Sequence, residues 1–345
     1  MSTTTLRIFT VDAFAAAPFS GNPAAVCLVP SSIKLTDAQQ QKIAAEMNLS
    51  ETAFVTPINS SAGATEDESV FKTETQFGLR WFTPAAEVNL CGHATLATAH
   101  VLVDEVGNAS PKIAFETLSG TLYCESAGIA DEKSRKATIS IDLPTFPAKP
   151  YGEIVAGKPE AEQQAILNDV KTVTVAAIGE KLFGELGIDV GRDVVIDDFV
   201  KYLTITIPGG SAAIKAIGTV AGSGGPGGLR KGTEGYAAGE RLGLTALSIT
   251  SGGDGASFTL NSDSVDFVSR LFGPWVAVDE DPVTGSLHSV LVPLWAGRIG
   301  GNKATFNAVQ ESPRRGELVC KISADGGRVT LVGGSFTIIN GNISF

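Results

Sequence analysis

The chain is short of the residues that build metal and disulfide sites. Its 345 residues include four cysteines, at 27, 91, 124 and 320, and three histidines. No two cysteines form a CxxC pair, which argues against a zinc site of usual spacing and against a disulfide framework; the thiols read as reduced. No apolar run approaches the ~20 residues that span a bilayer. The first residues carry no charged-then-apolar leader, so the expectation is a soluble, cytoplasmic protein with no membrane partner. Positive charge is scarce as well: 26 Lys and Arg against 37 Asp and Glu give a formal net charge of -11. With no basic stripe, a nucleic-acid partner is not expected.

What is abundant is turn chemistry. Thirty-nine glycines and 16 prolines punctuate a chain that is 43% hydrophobic, which suits a strand-rich protein with core enough for two domains. Alternation and β-branched runs predict strands over 6–14, 24–29, 53–55, 79–82, 112–116, 121–125 and 137–143 in the first part of the chain. Further strands are predicted over 193–196, 201–207, 244–250, 256–260, 265–272, 303–310, 317–322, 328–332 and 335–339. Thr36, followed by Asp37 and Gln39, caps a helix running to Met47; two more helices are predicted over 160–170 and 175–186. The polar stretch 60–76 reads as a loop, and the charged connector 131–136 as a domain boundary. The expected division is 1–130, completed by a C-terminal strand over 334–345, and 131–333. Gly222 to Gly227 matches GxGxxG in spacing, but Pro226 intrudes and no helical pattern follows, so a dinucleotide fold is rejected. The following Gly227-Gly228-Leu229-Arg230-Lys231 lacks the GK[ST] of a phosphate loop.

Two stretches stand apart. From Gly92, Gly-His-Ala-Thr-Leu-Ala-Thr-Ala-His reads as a helix without a polar face, hence buried all round, yet its first turn carries His93 and Thr95. The second runs through Asp281-Pro282-Val283-Thr284-Gly285-Ser286-Leu287-His288 into an apolar helix that Pro293 should bend or end. A helix start presents free N–H groups and the positive end of the dipole, which suit a carboxylate. Two such helices in two strand-rich halves predict a duplicated architecture, each half wrapped round a central helix, with a small-ligand cleft between the mouths.

The residues leave several chemistries open. Glu51, between a helix and the strand over 53–55, is either a solvated loop glutamate or a carboxylate delivered into a cleft, where burial or Asp281 could raise its pKa toward working pH. Ser286, His288 and Asp281 make a hydrolase inventory, but without a Gly-x-Ser-x-Gly elbow. Cys91, beside a helix start, could be an epimerase base; the partner cysteine of a two-base mechanism is missing at 281–285.

The ordered motifs carry a resemblance. Val11-Asp-Ala-Phe14 with Gly21-Asn-Pro-Ala-Ala-Val26, Leu49-Ser-Glu-Thr-Ala-Phe54, Arg80-Trp-Phe-Thr-Pro84 and Cys91-Gly-His-Ala-Thr-Leu-Ala97 lie in the first half. Ser269-Arg-Leu-Phe272, Glu280-Asp-Pro-Val-Thr-Gly-Ser286 and Gln310-Glu-Ser-Pro-Arg-Arg-Gly-Glu317 follow in the second. Together they resemble the PhzF-like family of phenazine-biosynthesis isomerases, similar in fold to diaminopimelate epimerase. The resemblance implies an α/β (α+β) protein of two pseudo-symmetric barrel-like domains, each wrapping a central helix. It implies a cofactor-independent isomerase, with no metal, acting on a small carboxylate-bearing substrate, and a homodimer. The catalytic glutamate falls on Glu51, and the substrate-binding positions on Asn22, Gly92, His93, Asp281, Gly285 and Ser286. The chain is expected to be longer than its family, with insertions over 60–76 and 147–235. A non-catalytic binding or interaction protein of this fold, and an epimerase, are the alternatives.

Overall fold

A computed structural model describes residues 3–58, 69–129, 137–218, 226–260 and 263–345. The predicted boundary at 131–136, most of the predicted loop and the first four residues of the GxGxxG match lie outside them. The chain forms two compact units: Met1–Leu143 with Gly316–Lys321 and Arg328–Phe345, and Pro144–Arg315 with Ile322–Gly327.

In the first unit β1 (Thr5–Ala13) and β2 (Asn22–Leu28) are antiparallel, α1 (Asp37–Met47) crosses over to β3 (Glu51–Pro57) parallel to β2, and β4 (Gln76–Phe82) returns antiparallel to β3. The short helix α2 (Ser69–Thr73) precedes β4, and β5 (Glu87–Val88) folds back on its end. Then come α3 (Gly92–His100), β6 (Lys112–Thr117) parallel to β4, and the meander β7 (Gly120–Ile129) and β8 (Ala137–Pro144). The final strand β17 (Arg328–Ser344) pairs with β8 and along all of β1, closing the ring of strands into a barrel without open edges. Every residue of α3 is buried, against β1, β2, β3 and β17, which explains its lack of a polar face. On the outside, Ile43 and Ala44 of α1 cover Ile8, Ala25, Cys27 and Phe54. β1 and β2 are therefore apolar on both faces, and their alternation is weak. The capping box that starts α1 is complete: Thr36 accepts from the Gln39 amide at 3.2 Å and Gln39 Oε1 accepts from the Thr36 amide at 2.9 Å.

The second unit repeats the order. β9 (Lys149–Pro150), β10 (Val194–Ile196) and β11 (Tyr202–Thr206) are successively antiparallel. β12 (Ala246–Gly252) runs parallel to β11, and β13 (Phe267–Gly273) returns antiparallel. β14 (Val278–Asp281) folds back on β13, α9 (Gly285–Ile299) follows, and β15 (Thr305–Gln310) lies parallel to β13. Between these lie α4 (Tyr151–Val155), α5 (Glu160–Ile178), α6 (Glu180–Leu186), α7 (Gly210–Ala216) and α8 (Glu234–Arg241). Their apolar sides pack on Leu203, Ile205, Leu247, Ile249 and Phe272. β16 (Gly316–Ile322) leads out of this unit.

Four predicted elements differ. The two helices over 160–170 and 175–186 meet at Gly179, whose φ of +86° ends α5 and begins α6, so the first helix ends at Ile178 rather than at 170. Residues 256–260 are not a strand: Gly253, just after β12, donates to the Asp266 carbonyl, just before β13. The strands over 328–332 and 335–339 are one, β17. Pro293 does not end its helix, which continues to Ile299. The Ser289 carbonyl, which Pro293 cannot serve, instead accepts the Phe146 backbone N–H at 2.8 Å. The first buried helix, by contrast, runs from His100 into a π-helical turn over Val101–Val106, closed by Gly107 at φ +84°.

Candidate active site

In the first unit local turns bring three separate segments to the mouth of α3. Gly21 (φ +69°) makes the return from β1 to β2; a Cβ there would lie 2.3 Å from the Ala13 carbonyl oxygen, so the close approach requires glycine. It sets Asn22 at the start of β2. Asn48, left-handed at φ 49°, ends α1 and turns the chain so that Glu51 pairs with Ala24. Gly92 and His93 open α3.

His93 lies at the middle of this group, its side chain only 5% exposed. Its Nε2 faces Glu51 Oε2 at 3.2 Å, and its Nδ1 faces Asn22 Nδ2 at 3.2 Å and Cys91 Sγ at 3.4 Å. Ser50 Oγ donates to Asn22 Oδ1 at 3.1 Å. Burial pulls the His93 pKa from the ordinary 6.5 down to about 3, so the ring is neutral near pH 7. Glu51 keeps 17% of its side chain exposed, whereas Asn22 is wholly buried and its described contacts are with protein. Glu51, Cys91 and His93 also place three potential metal-binding atoms within 4.8 Å of one another. The shortest contacts use different ring nitrogens, Nε2 toward Glu51 and Nδ1 toward Cys91, whereas a metal would take one of them. His93 is thus hydrogen-bonded through Nδ1 to Asn22 and Cys91 and abuts Glu51 through Nε2 without hydrogen-bond geometry.

The mouth of α9 is built differently. The Thr284 amide donates to Gln310 Oε1 at 2.9 Å, Gln310 Nε2 donates to the Asp281 carbonyl at 2.7 Å, and the Thr284 hydroxyl donates to the Asp281 carboxylate. Ser312 Oγ donates to the Pro282 carbonyl at 2.8 Å, and Tyr202 Oη and Ser286 Oγ share a hydrogen bond of 3.0 Å. His288 is wholly buried, with Nδ1 at 2.8 Å from the Thr284 carbonyl and its pKa pulled down to about 4 by burial. It therefore turns to backbone while Ser286 turns to Tyr202, and the serine-hydrolase inventory is not assembled. Gln310, Tyr202 and Ser312 were not anticipated at this mouth. Gln310 and Ser312 lie in a motif noted for another reason, and Tyr202 carries no local signal at all.

Strand register makes the two mouths comparable. Thr52 opposes Phe82, and Leu247 opposes Phe272; the position equivalent to Glu51 is thus Ala246. Trp81 opposes Val88, and Leu271 opposes Asp281; each helix begins four residues later, so Cys91 corresponds to Thr284 and His93 to Ser286. Beneath each mouth an arginine grips a glutamate with two hydrogen bonds and lies over a phenylalanine ring: Arg80 with Glu87 and Phe82, and Arg270 with Glu280 and Phe272. The second pair is the buried one, 4% exposed on both side chains against 35% and 25%. Burial pushes the Glu280 carboxyl above its ordinary range, with Arg270 pulling it back.

Two strand-wrapped central helices in one chain define the diaminopimelate epimerase-like α/β fold. The chain belongs to the phenazine biosynthesis-like protein family, whose pattern matches residues 11–180 and 253–341. It is 36% identical to a human phenazine biosynthesis-like domain-containing protein over 98% of this chain and 99% of that one. It is also 36% identical to a Pseudomonas aeruginosa protein named as an uncharacterized isomerase, over 98% of each. A crystal structure of a PhzF-family protein from Enterococcus faecalis, 28% identical, covers 99% of each chain with a TM-score of 0.69. These relatives are matched from end to end, while the family pattern leaves residues 181–252, which overlap the insertion expected over 147–235, outside its two matched stretches. Among the described residues no helix is long and apolar enough to cross a membrane.

Proposed function

We propose that the protein is a cofactor-independent isomerase in which Glu51 lifts a proton from one carbon of a small carboxylate-bearing substrate and returns it to another. The observation that carries this reading is the contact between the Glu51 carboxylate and neutral, buried His93, at a helix mouth whose counterpart has alanine where Glu51 stands. A base packed against a buried ring is held in place, and a partly exposed carboxylate can reach a ligand. Gly92, His93, Asp281, Gly285 and Ser286 are assigned to substrate binding, since glycine admits close backbone approach and helix N-termini favour carboxylates. A one-base mechanism also explains Thr284 in the place of Cys91: a hydroxyl donating to Asp281 is not a base, whereas two-base epimerisation needs one on each side. In keeping with the family resemblance, the active species is taken to be a cytoplasmic homodimer.

The test is solvent deuterium incorporation into a panel of small amino and hydroxy acids, including dihydro-hydroxyanthranilate, followed by NMR in D₂O. Wild-type protein should label at least one of them, and Glu51→Gln should fold and bind that acid without labelling it. Normal labelling by Glu51→Gln would overturn the assignment. Binding without exchange by the wild type across the panel would favour a non-catalytic binding protein.

A further inference from the structure

The hydrogen bonds around His93 run in one direction. Ser50 Oγ donates to Asn22 Oδ1, so the Asn22 amide presents its NH₂ group, which can only donate, to His93 Nδ1. The Cys91 thiol at 3.4 Å addresses the same nitrogen and is able to donate to it. On the other side Nε2 lies 3.2 Å from Glu51 Oε2, a contact without hydrogen-bond geometry, and a carboxylate can only accept. We propose that Asn22, braced by Ser50, is a positioning residue that holds His93 as its Nε2–H tautomer, so that an N–H rather than a lone pair faces the Glu51 carboxylate. The proposal rests on the reading of Glu51 as the proton-transfer group, and assigns a task to a residue that the family resemblance counts among the substrate holders.

The argument is one of donors and acceptors. A neutral imidazole has one N–H and one bare nitrogen, and the partner of the second nitrogen decides which is which. Were the proton on Nδ1, it would point at the Asn22 NH₂ group while the Nε2 lone pair faced the carboxylate, and both contacts would turn repulsive. Asn22, wholly buried and hydrogen-bonded at both ends of its amide, cannot turn cheaply. His288 is the built-in contrast: its Nδ1 faces the Thr284 carbonyl, an acceptor, which demands the opposite tautomer. An N–H at Nε2, rather than a lone pair, avoids repulsion with the Glu51 oxygen 3.2 Å away.

The experiment is ¹⁵N NMR of protein labelled in the imidazole nitrogens, which contains only three histidine rings; the His93 signals are assigned by their loss in His93→Gln. In the wild type at pH 7 the His93 proton should reside on Nε2 by about ten to one or more, the preference expected when the other tautomer leaves a buried donor facing a donor, while His288 shows the Nδ1–H pattern. Asn22→Asp replaces the donor with an acceptor and should move the His93 proton to Nδ1. Ser50→Ala keeps the amide but removes its brace, and should give a mixture of the two tautomers. This milder variant and the wild-type spectrum carry the test if Asn22→Asp does not fold. An Nδ1–H pattern for His93 in the wild type, or an unchanged pattern in both variants, would overturn the proposal. Continued substrate labelling by Glu51→Gln would overturn the role of Glu51 while leaving the tautomer assignment standing.

Discussion

The mouths of α3 and α9 share a scaffold and differ in chemistry. Each helix starts four residues after a short strand that folds back on its neighbour, above an arginine–glutamate pair and a phenylalanine ring. At the first mouth the matched positions hold Glu51, Cys91 and His93; at the second they hold Ala246, Thr284 and Ser286. Groups able to exchange protons stand at one mouth, whereas hydroxyls tied to Asp281, Gln310 and Tyr202 stand at the other. A duplicated fold thus supplies two helix N-termini at no extra cost in architecture. On the proposed reading, divergence at three matched positions separates proton transfer from binding.

The largest expected effect breaks this division directly. Glu51→Gln should lower deuterium incorporation by about 10²–10⁴, the usual contribution of a positioned general base, with little change in Tm. Asp281→Asn, which keeps an acceptor for Thr284, should act mainly on KM, by about tenfold, as lost ground-state binding does. Equal losses of kcat in the two variants would erase the distinction.

The arginine–glutamate pairs should separate by stability. Arg270→Met leaves Glu280 buried without its partner and should cost about 3–5 kcal/mol in urea unfolding. Arg80→Met, in the more exposed pair, should cost about 1 kcal/mol or less. The Glu280 pKa is raised in the folded state, so the unfolded chain releases that proton at lower pH and stability falls as pH rises through the window. Removal of Arg270 raises it further; the deficit of Arg270→Met should therefore be larger at pH 8 than at pH 5.

A smaller effect concerns the two buried histidines. The His93 pKa falls from 6.5 to about 3 on folding, so the unfolded chain binds the proton first and stability is lost as pH drops below 6.5. Each such group should remove about 2 kcal/mol between pH 8 and pH 5. His93→Gln and His288→Gln should each flatten the acid limb of a Tm–pH profile by a similar amount, despite their different surroundings. The smallest effect is expected at Cys91. Cys91→Ser keeps a donor beside His93 Nδ1 and should change exchange less than threefold, whereas a cysteine base would make the same variant inactive.

Much of this was legible in the chain because it is local. The Thr36 capping box, the all-apolar helix after Gly92, the glycine-bearing start at Gly285 and the helix-to-strand junction at Glu51 depend on residues a few positions apart. What was missed is non-local. Tyr202 and Ser286 are 84 residues apart, Thr284 and Gln310 are 26 apart, and the Ser289 carbonyl that lets α9 pass through Pro293 finds its donor at Phe146. No periodicity records such pairings, because strand register and loop return decide them.

By itself, then, the order of residues determined the kinds of element, the two helix mouths and the presence of one well-placed carboxylate, since propensity, capping and turn chemistry act over a turn or two of chain. Only the tertiary structure decided that β1 and β8 are the partners of the closing strand β17, that Asn22 stands behind His93, and that Ala246 is the counterpart of Glu51. Those facts follow from pairing across tens to hundreds of residues, where burial of both strand faces and satisfaction of every buried polar group select a single register.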